Sequence, residues 1–189
     1  RENPQKIIDD YSRFSKYAQG AGKDEVTILW GSMYGMTAKA VDHVERILQR
    51  EGVKYNKLEM PQESDSEMVA TAFKSAGIII GAPTYEYKLF PPVAAALDEL
   101  GRKRITGKIA FRFGSYGWSG GAEKELSEII ERNNMKWDFI ESVEFEGAPK
   151  AEDLSKIEAG VLELIKKMKE KVTCTPIENY IASISTRFH

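Results

Sequence analysis

The sequence predicts an α/β protein, a three-layer sandwich around a five-stranded parallel sheet in the order 2-1-3-4-5, with an extra N-terminal helix. Three observations predict it. Short apolar runs alternate with stretches of helical periodicity from Val26 to Val172, and strands that alternate with helices require parallel pairing through crossovers. The run Gly77-Ile78-Ile79-Ile80-Gly81 has no polar face, as expected of a central strand covered on both sides. Finally, Val26-Thr27-Ile28-Leu29-Trp30 leads through Gly31-Ser32-Met33-Tyr34-Gly35-Met36-Thr37 straight into a helical pattern, the strand–loop–helix arrangement that offers backbone amides to an anion.

Residues Asn3 to Ala18 place Ile7, Ile8, Tyr11, Phe14 and Tyr17 at helical spacing, with Pro4 suited to a first turn; Gly20-Ala21-Gly22 ends the pattern. Residues 1–24 therefore read as a connector helix and linker, 25–172 as the main domain and 173–189 as a tail, where Tyr180, Ile181 and Ile184 can form a short docked helix. In the main domain the first strand is Val26–Trp30 and the first helix Thr37–Arg50, stopped by Gly52. Lys54–Met60 alternates as a second strand, and Ser64 or Asp65 caps a helix carrying Met68, Val69, Ala72 and Phe73. After the third strand comes a loop, 82–88, and a helix that Pro91-Pro92 open and that runs through Leu100. Lys108–Gly114 is the fourth strand, 114–121 a loop, 122–134 a helix and Trp137–Glu146 the fifth strand. A long helix, Glu152–Val172, puts Leu154, Ile157, Val161, Leu164, Ile165 and Met168 on one face.

Composition narrows the function. The 189 residues suffice for one domain with a proper core. A net charge of −2 gives no electrostatic footprint for nucleic acid or an anionic membrane, and no apolar run is long enough to span a bilayer. One cysteine, Cys174, excludes an internal disulfide and Cys-rich zinc or iron sites and fits a reducing cytoplasm. The start at Arg1, without an initiator methionine, reads as that of a processed chain or a piece of a longer one. His43 and His189 are the only histidines, too few for a diiron site. His43 reads as a solvated or half-buried helix residue.

Ligands of open parallel sheets sit outside the carboxyl ends of the strands, at the topological switch point. The loops after the first, third and fourth strands carry unusual residues, and in a 2-1-3-4-5 sheet those strands are neighbours. Ser32, Met33, Tyr34, Gly35, Met36 and Thr37 contain no Lys or Arg, which suits a phosphate held by hydrogen bonds alone. Pro83, Thr84, Tyr85, Glu86 and Tyr87 form the second candidate segment. Ser115, Tyr116, Gly117, Trp118, Ser119, Gly120 and Gly121 form the third; its glycines permit close backbone approach and Tyr116 and Trp118 can stack on a flat ligand. Phosphate at one loop and aromatics at two describe a phosphorylated planar heterocycle, with flavin mononucleotide (FMN) the obvious candidate. Blander readings stand beside this one: Ser32 or Thr37 as a helix N-cap, Tyr85 and Tyr87 as surface aromatics, Trp118 as a helix-packing anchor.

The 31–37 loop resembles the flavodoxin phosphate signature S/T-x-T-G-x-T, with Ser32, Gly35 and Thr37 matching and Tyr34 where Thr or Ser is usual. More narrowly, G-S-M-Y-G-M-T, G-A-P-T-Y…L-F-P-P-V and S-Y-G-W-S-G-G are similar to the flavodoxin-like domain of flavodiiron proteins, reductases of dioxygen or nitric oxide. The opening N-P-Q-K-I-I-D-D-Y resembles the connector that follows their diiron domain. The resemblance implies that residues 32–37 wrap the FMN phosphate and that 83–87 and 115–121 flank the isoalloxazine ring. It also implies electron delivery from rubredoxin or an NAD(P)H-dependent reductase to a diiron domain, and a head-to-tail homodimer of the parent protein. One departure stands out: Glu86-Tyr87-Lys88 replaces the family's usual Asn-Asn-Gly, which restricts any backbone flip beside flavin N5. Glu86 there would disfavour an anionic reduced flavin and Lys88 favour it.

Other readings compete. A stand-alone NAD(P)H-dependent flavin or quinone reductase of the same fold, or a module binding another phosphorylated ligand, would use the same loops. The chain lacks G-x-G-x-x-G after its first strand and a P-loop. It also lacks the aspartates a response-regulator receiver needs at the end of that strand.

Overall fold

A computed structural model describes residues 4–6, 8, 9, 12, 17 and 22–173. Its main sheet runs β2-β1-β3-β6-β7, with β8 also paired to β6 on the same edge. These strands are β1 (Lys23–Trp30), β2 (Lys54–Glu59), β3 (Ser75–Gly81), β6 (Ile109–Tyr116), β7 (Asp138–Phe139) and β8 (Val143–Glu146). All of their pairings are parallel. The expected 2-1-3-4-5 order is borne out, the fifth strand being divided into β7 and β8.

The division has a local cause. Ala110 pairs with Phe139 and Phe113 with Val143. Between these pairs β6 advances three residues and its partner four, so one residue is extra and the ladder is interrupted, as at a bulge. A second correction concerns the loops. Segment 82–88 is not plain loop, because β4 (Thr84–Tyr85) and β5 (Lys88–Leu89) pair there as an antiparallel ribbon. Strand β6 also continues two residues beyond its expected end at Gly114, to Tyr116.

Helices cover both faces. Helix α1 (Met36–Arg50) and helix α5 (Ala151–Thr173) bury Val41, Val44, Val161 and Leu164 against Val26, Ile28, Ile79, Phe111 and Phe113. Helices α2 (Asp65–Lys74), α3 (Pro91–Arg102) and α4 (Ala122–Arg132) bury Met68, Val93, Leu97 and Leu126 against Leu29, Ile78, Ile80 and Ala110. Neighbouring strand residues face opposite layers, and both layers are apolar, which is why β3 reads as an unbroken apolar run. Helix α2 starts as expected: the Ser64 hydroxyl accepts from the Glu67 amide at 3.3 Å. His43 on α1 lies half-buried, 3.9 Å from Glu158 of α5.

Ahead of β1, the described residues 4–6, 8, 9, 12 and 17 are helical. Tyr17 is buried and meets the Phe73 ring edge-on, with centroids 5.9 Å apart, whereas Ile8 of the same expected stripe is exposed. Ile7, Tyr11, Phe14 and the tail helix suggested at 180–184 lie outside the described residues. Among the described residues no helix is long and apolar enough to cross a membrane.

Candidate functional site

Sheet register brings the loops to one rim. Trp30 pairs with Gly81, Gly81 with Phe113 and Phe113 with Val143, a single line across four strands. The chain leaves β1 and β3 at this line. Strand β6 runs three residues further, roughly 10 Å at the usual strand rise, so Tyr116 and its loop stand as a wall above the floor made by the other two.

Between floor and wall is a pocket of about 820 Å³. Its lining comprises Ser32, Met33, Tyr34 and Met36 from the first loop, Pro83, Thr84, Tyr85, Glu86 and Tyr87 from the second, and Ser115, Tyr116, Gly117, Trp118 and Ser119 from the third. Gly147, at the end of β8, adds a fourth segment that the sequence reading missed. Its signal was present: Gly147-Ala148-Pro149 is a turn after a strand, at the same rim as the others. Gly35, Thr37, Gly120 and Gly121 do not line the pocket; they support those that do.

The first loop is wound by its own hydroxyl. Ser32 Oγ accepts from the Gly35 amide at 3.0 Å. Gly35, not Ser32 or Thr37, is the N-cap of α1, at φ 77°, a left-handed backbone that suits glycine. Thr37 is fully buried, and its hydroxyl lies 3.1 Å from that of Ser115, joining the first loop to the third. The first-turn amides of a helix have no intrahelical acceptor, so the start of α1 presents donors beside the pocket with no cationic side chain in the loop.

The aromatic residues are free to meet a ligand. Trp118 is 91% exposed, which removes the reading of it as a packing anchor. Tyr34 and Tyr87 are exposed as well. The hydroxyl of Thr84, by contrast, is buried with no hydrogen-bond partner, an orphan in a residue that lines the pocket. Glu86 lines the pocket and Lys88 does not.

The second loop is held from outside. Leu89 donates its amide to Glu125 of α4 at 2.7 Å, and the Tyr87 carbonyl lies 2.3 Å from where a Cβ on Gly121 would stand. Glu86 and Tyr87 form the two-residue turn between β4 and β5, both with positive φ, 47° and 63°. This is the type I′ pattern, which favours Asn-Gly. The chain thus holds Glu and Tyr at two positions where the backbone favours Asn or Gly. Replacing Glu86 by Asn is expected to raise the stability of the ligand-free protein by about 0.5–1 kcal/mol, seen as a higher urea midpoint at unchanged slope.

The family model for flavodoxin matches residues 28–160. The chain belongs to the flavodoxin family. It is also 26% identical over 156 residues to a nitric oxide reductase of Moorella thermoacetica, a match that covers 82% of this chain and 38% of that protein. In fold it is similar to rubredoxin oxygen:oxidoreductase from Desulfovibrio gigas, with TM-score 0.76, 24% identity and coverage of 83% of this chain and 39% of that one. The flavodiiron protein from Giardia intestinalis gives TM-score 0.74 at 23% identity, covering 88% of this flavodoxin-family chain and 41% of that chain. The resemblance carried by the three loop motifs is therefore borne out, and this chain spans about two fifths of the length of these relatives.

Proposed function

We propose that this flavodoxin-family chain holds FMN in the pocket and relays electrons as the flavin module of a flavodiiron reductase of nitric oxide or oxygen. What carries the reading is the convergence, at one rim, of a helix N-terminus whose entry loop holds no cationic side chain with a slot walled by aromatic side chains. The amides at the start of α1 and the Ser32 side of its loop suit a dianionic phosphate. Tyr85, Tyr87, Tyr116 and Trp118 suit the faces and edge of a planar ring, and the orphan Thr84 hydroxyl suits a polar atom on that ring. When bound, the flavin supplies the redox chemistry, and the protein supplies binding, orientation and charge.

On this reading residues 25–172 are the flavin-binding unit, 1–24 a connector and 173–189 a tail. The electron donor is rubredoxin or an NAD(P)H-dependent reductase, and the acceptor is a diiron centre on a separate domain, facing the flavin in a homodimer. Among the described residues no group of three or more His, Cys, Asp or Glu side chains could hold a metal.

The test is titration of flavin-free protein. FMN is expected to bind with quenched fluorescence and shifted absorption bands. Riboflavin should bind at least about a hundredfold more weakly, since each hydrogen bond to a charged group is worth roughly 1.5–3 kcal/mol. Trp118→Ala should weaken FMN about tenfold through lost stacking. A protein that leaves FMN fluorescence and absorption unchanged overturns the reading. Rapid flavin reduction by NADPH alone would instead make the chain a reductase in its own right.

A further inference from the structure

Arg112 sits in β6 with no exposed surface, on the side of the sheet covered by α2, α3 and α4. A buried guanidinium is costly unless acceptors meet it, and its acceptors here lie just under the pocket. Nη1 donates to Glu144 Oε1 at 2.6 Å and stands 3.5 Å from Glu123 Oε2; Nη2 donates to the Ala82 carbonyl at 3.3 Å. Each acceptor belongs to a different wall. Ala82 immediately precedes Pro83 and Thr84, Glu144 lies on β8 below Gly147, and Glu123 is in the first turn of α4, directly after the third loop. Missing side chains clear the space: a Cβ on Gly114 would lie 3.1 Å from Nη2, and one on Gly120 only 2.6 Å from Glu144 Oε2.

We infer that Arg112 is a positioning residue for the flavin, a single buried cation that ties three walls of the pocket together and sets the charge beneath the ring; this rests on the FMN reading above. The charge balance gives the inference a signature. One cation faces two carboxylates, so removing Arg112 leaves negative charge uncompensated and makes the flavin harder to reduce. Neutralising Glu144 acts in the opposite direction. A side chain that only filled space would not shift the potential according to the sign of the charge removed.

The experiment compares wild type, Arg112→Met, Arg112→Lys and Glu144→Gln in three measurements: the FMN dissociation constant, the flavin midpoint potential, and hydrogen exchange over residues 82–90 and 115–121 without flavin. Arg112→Met is expected to bind FMN at least about tenfold more weakly, to lower the potential and to speed exchange in both loops. Glu144→Gln is expected to raise the potential. Arg112→Lys should restore the potential but only part of the affinity, since an ammonium lacks the two-pronged fork. Wild-type affinity and potential in a folded Arg112→Met protein would overturn the inference, as would potentials that move the same way in Arg112→Met and Glu144→Gln. Should Arg112→Met fail to fold, the potentials of Glu144→Gln and Arg112→Lys decide it. Should wild type bind no FMN, the FMN reading falls by itself, and unchanged loop exchange in Arg112→Met overturns the clamp separately.

Discussion

Gly114→Ala is expected to destabilise the protein by about 3 kcal/mol or more, enough to remove much of the margin of an ordinary domain. Gly114 lies in β6 where the chain passes Ala82, the first residue beyond β3. A Cβ at this position would be 1.8 Å from the Ala82 carbonyl oxygen. That oxygen cannot swing aside cheaply, because the Ala82 amide donates to the Phe113 carbonyl at 3.0 Å and the oxygen itself accepts from Arg112. Relief would require β3 and β6 to part at the rim where the pocket begins, so FMN affinity should fall together with stability. Gly117→Ala is the control. Nothing lies within 4 Å of where a Cβ on Gly117 would stand, and the ligand-free protein should change by no more than about 0.5 kcal/mol. Urea unfolding of the two variants checks both statements; equal midpoints would show that the close approach at Gly114 costs nothing.

Stability should also rise with pH above neutrality, because of Lys108. This side chain is wholly enclosed at the opposite end of the sheet, and burial, with Lys171 nearby, pushes its ammonium from 10.5 down to about 7. In the unfolded chain the group keeps its proton up to the ordinary value. Between these two pH values the unfolded state therefore binds more protons than the folded one, and raising the pH favours folding. One proton corresponds to a slope of at most about 1.4 kcal/mol per pH unit, or about 2 kcal/mol between pH 7 and 9. The bonds from Nζ to the carbonyls of Phe73 at 2.9 Å and Ser75 at 2.7 Å favour the charged form and hold the gain below that ceiling. Lys171, whose ammonium donates to the Gly107 carbonyl, is also lowered by burial and adds in the same direction. Urea midpoints at pH 7, 8 and 9 should climb in wild type and climb much less in Lys108→Met. A slope untouched by that substitution would assign it to other groups.

Lys108 and Arg112 also show what could not be read from the chain. Both occur in a segment, Lys108-Ile109-Ala110-Phe111-Arg112-Phe113, that reads simply as an apolar strand. Nothing local distinguishes a cation that is solvated from one enclosed against carbonyls 30 or more residues away in sequence. The candidate site was more legible. Its loops announced themselves through glycines, hydroxyls and aromatics placed just after apolar runs, and most of those residues do line one pocket. Gly147 escaped although its turn was legible, because Gly147-Ala148-Pro149 carries none of the hydroxyls or aromatics that marked the other three loops.

By itself the sequence determined the alternation of strands and helices, the burial of β3 on both faces and the identity of the three main loops, since periodicity and turn residues act over a few neighbours. Tertiary structure alone decided that β6 rises past the rim to build a wall, that Glu86 and Tyr87 close a ribbon, that Thr37 meets Ser115, and that two cations lie inside the sheet's layers. Those features depend on strand register and on contacts between distant segments, whose energies appear only once the layers close around them.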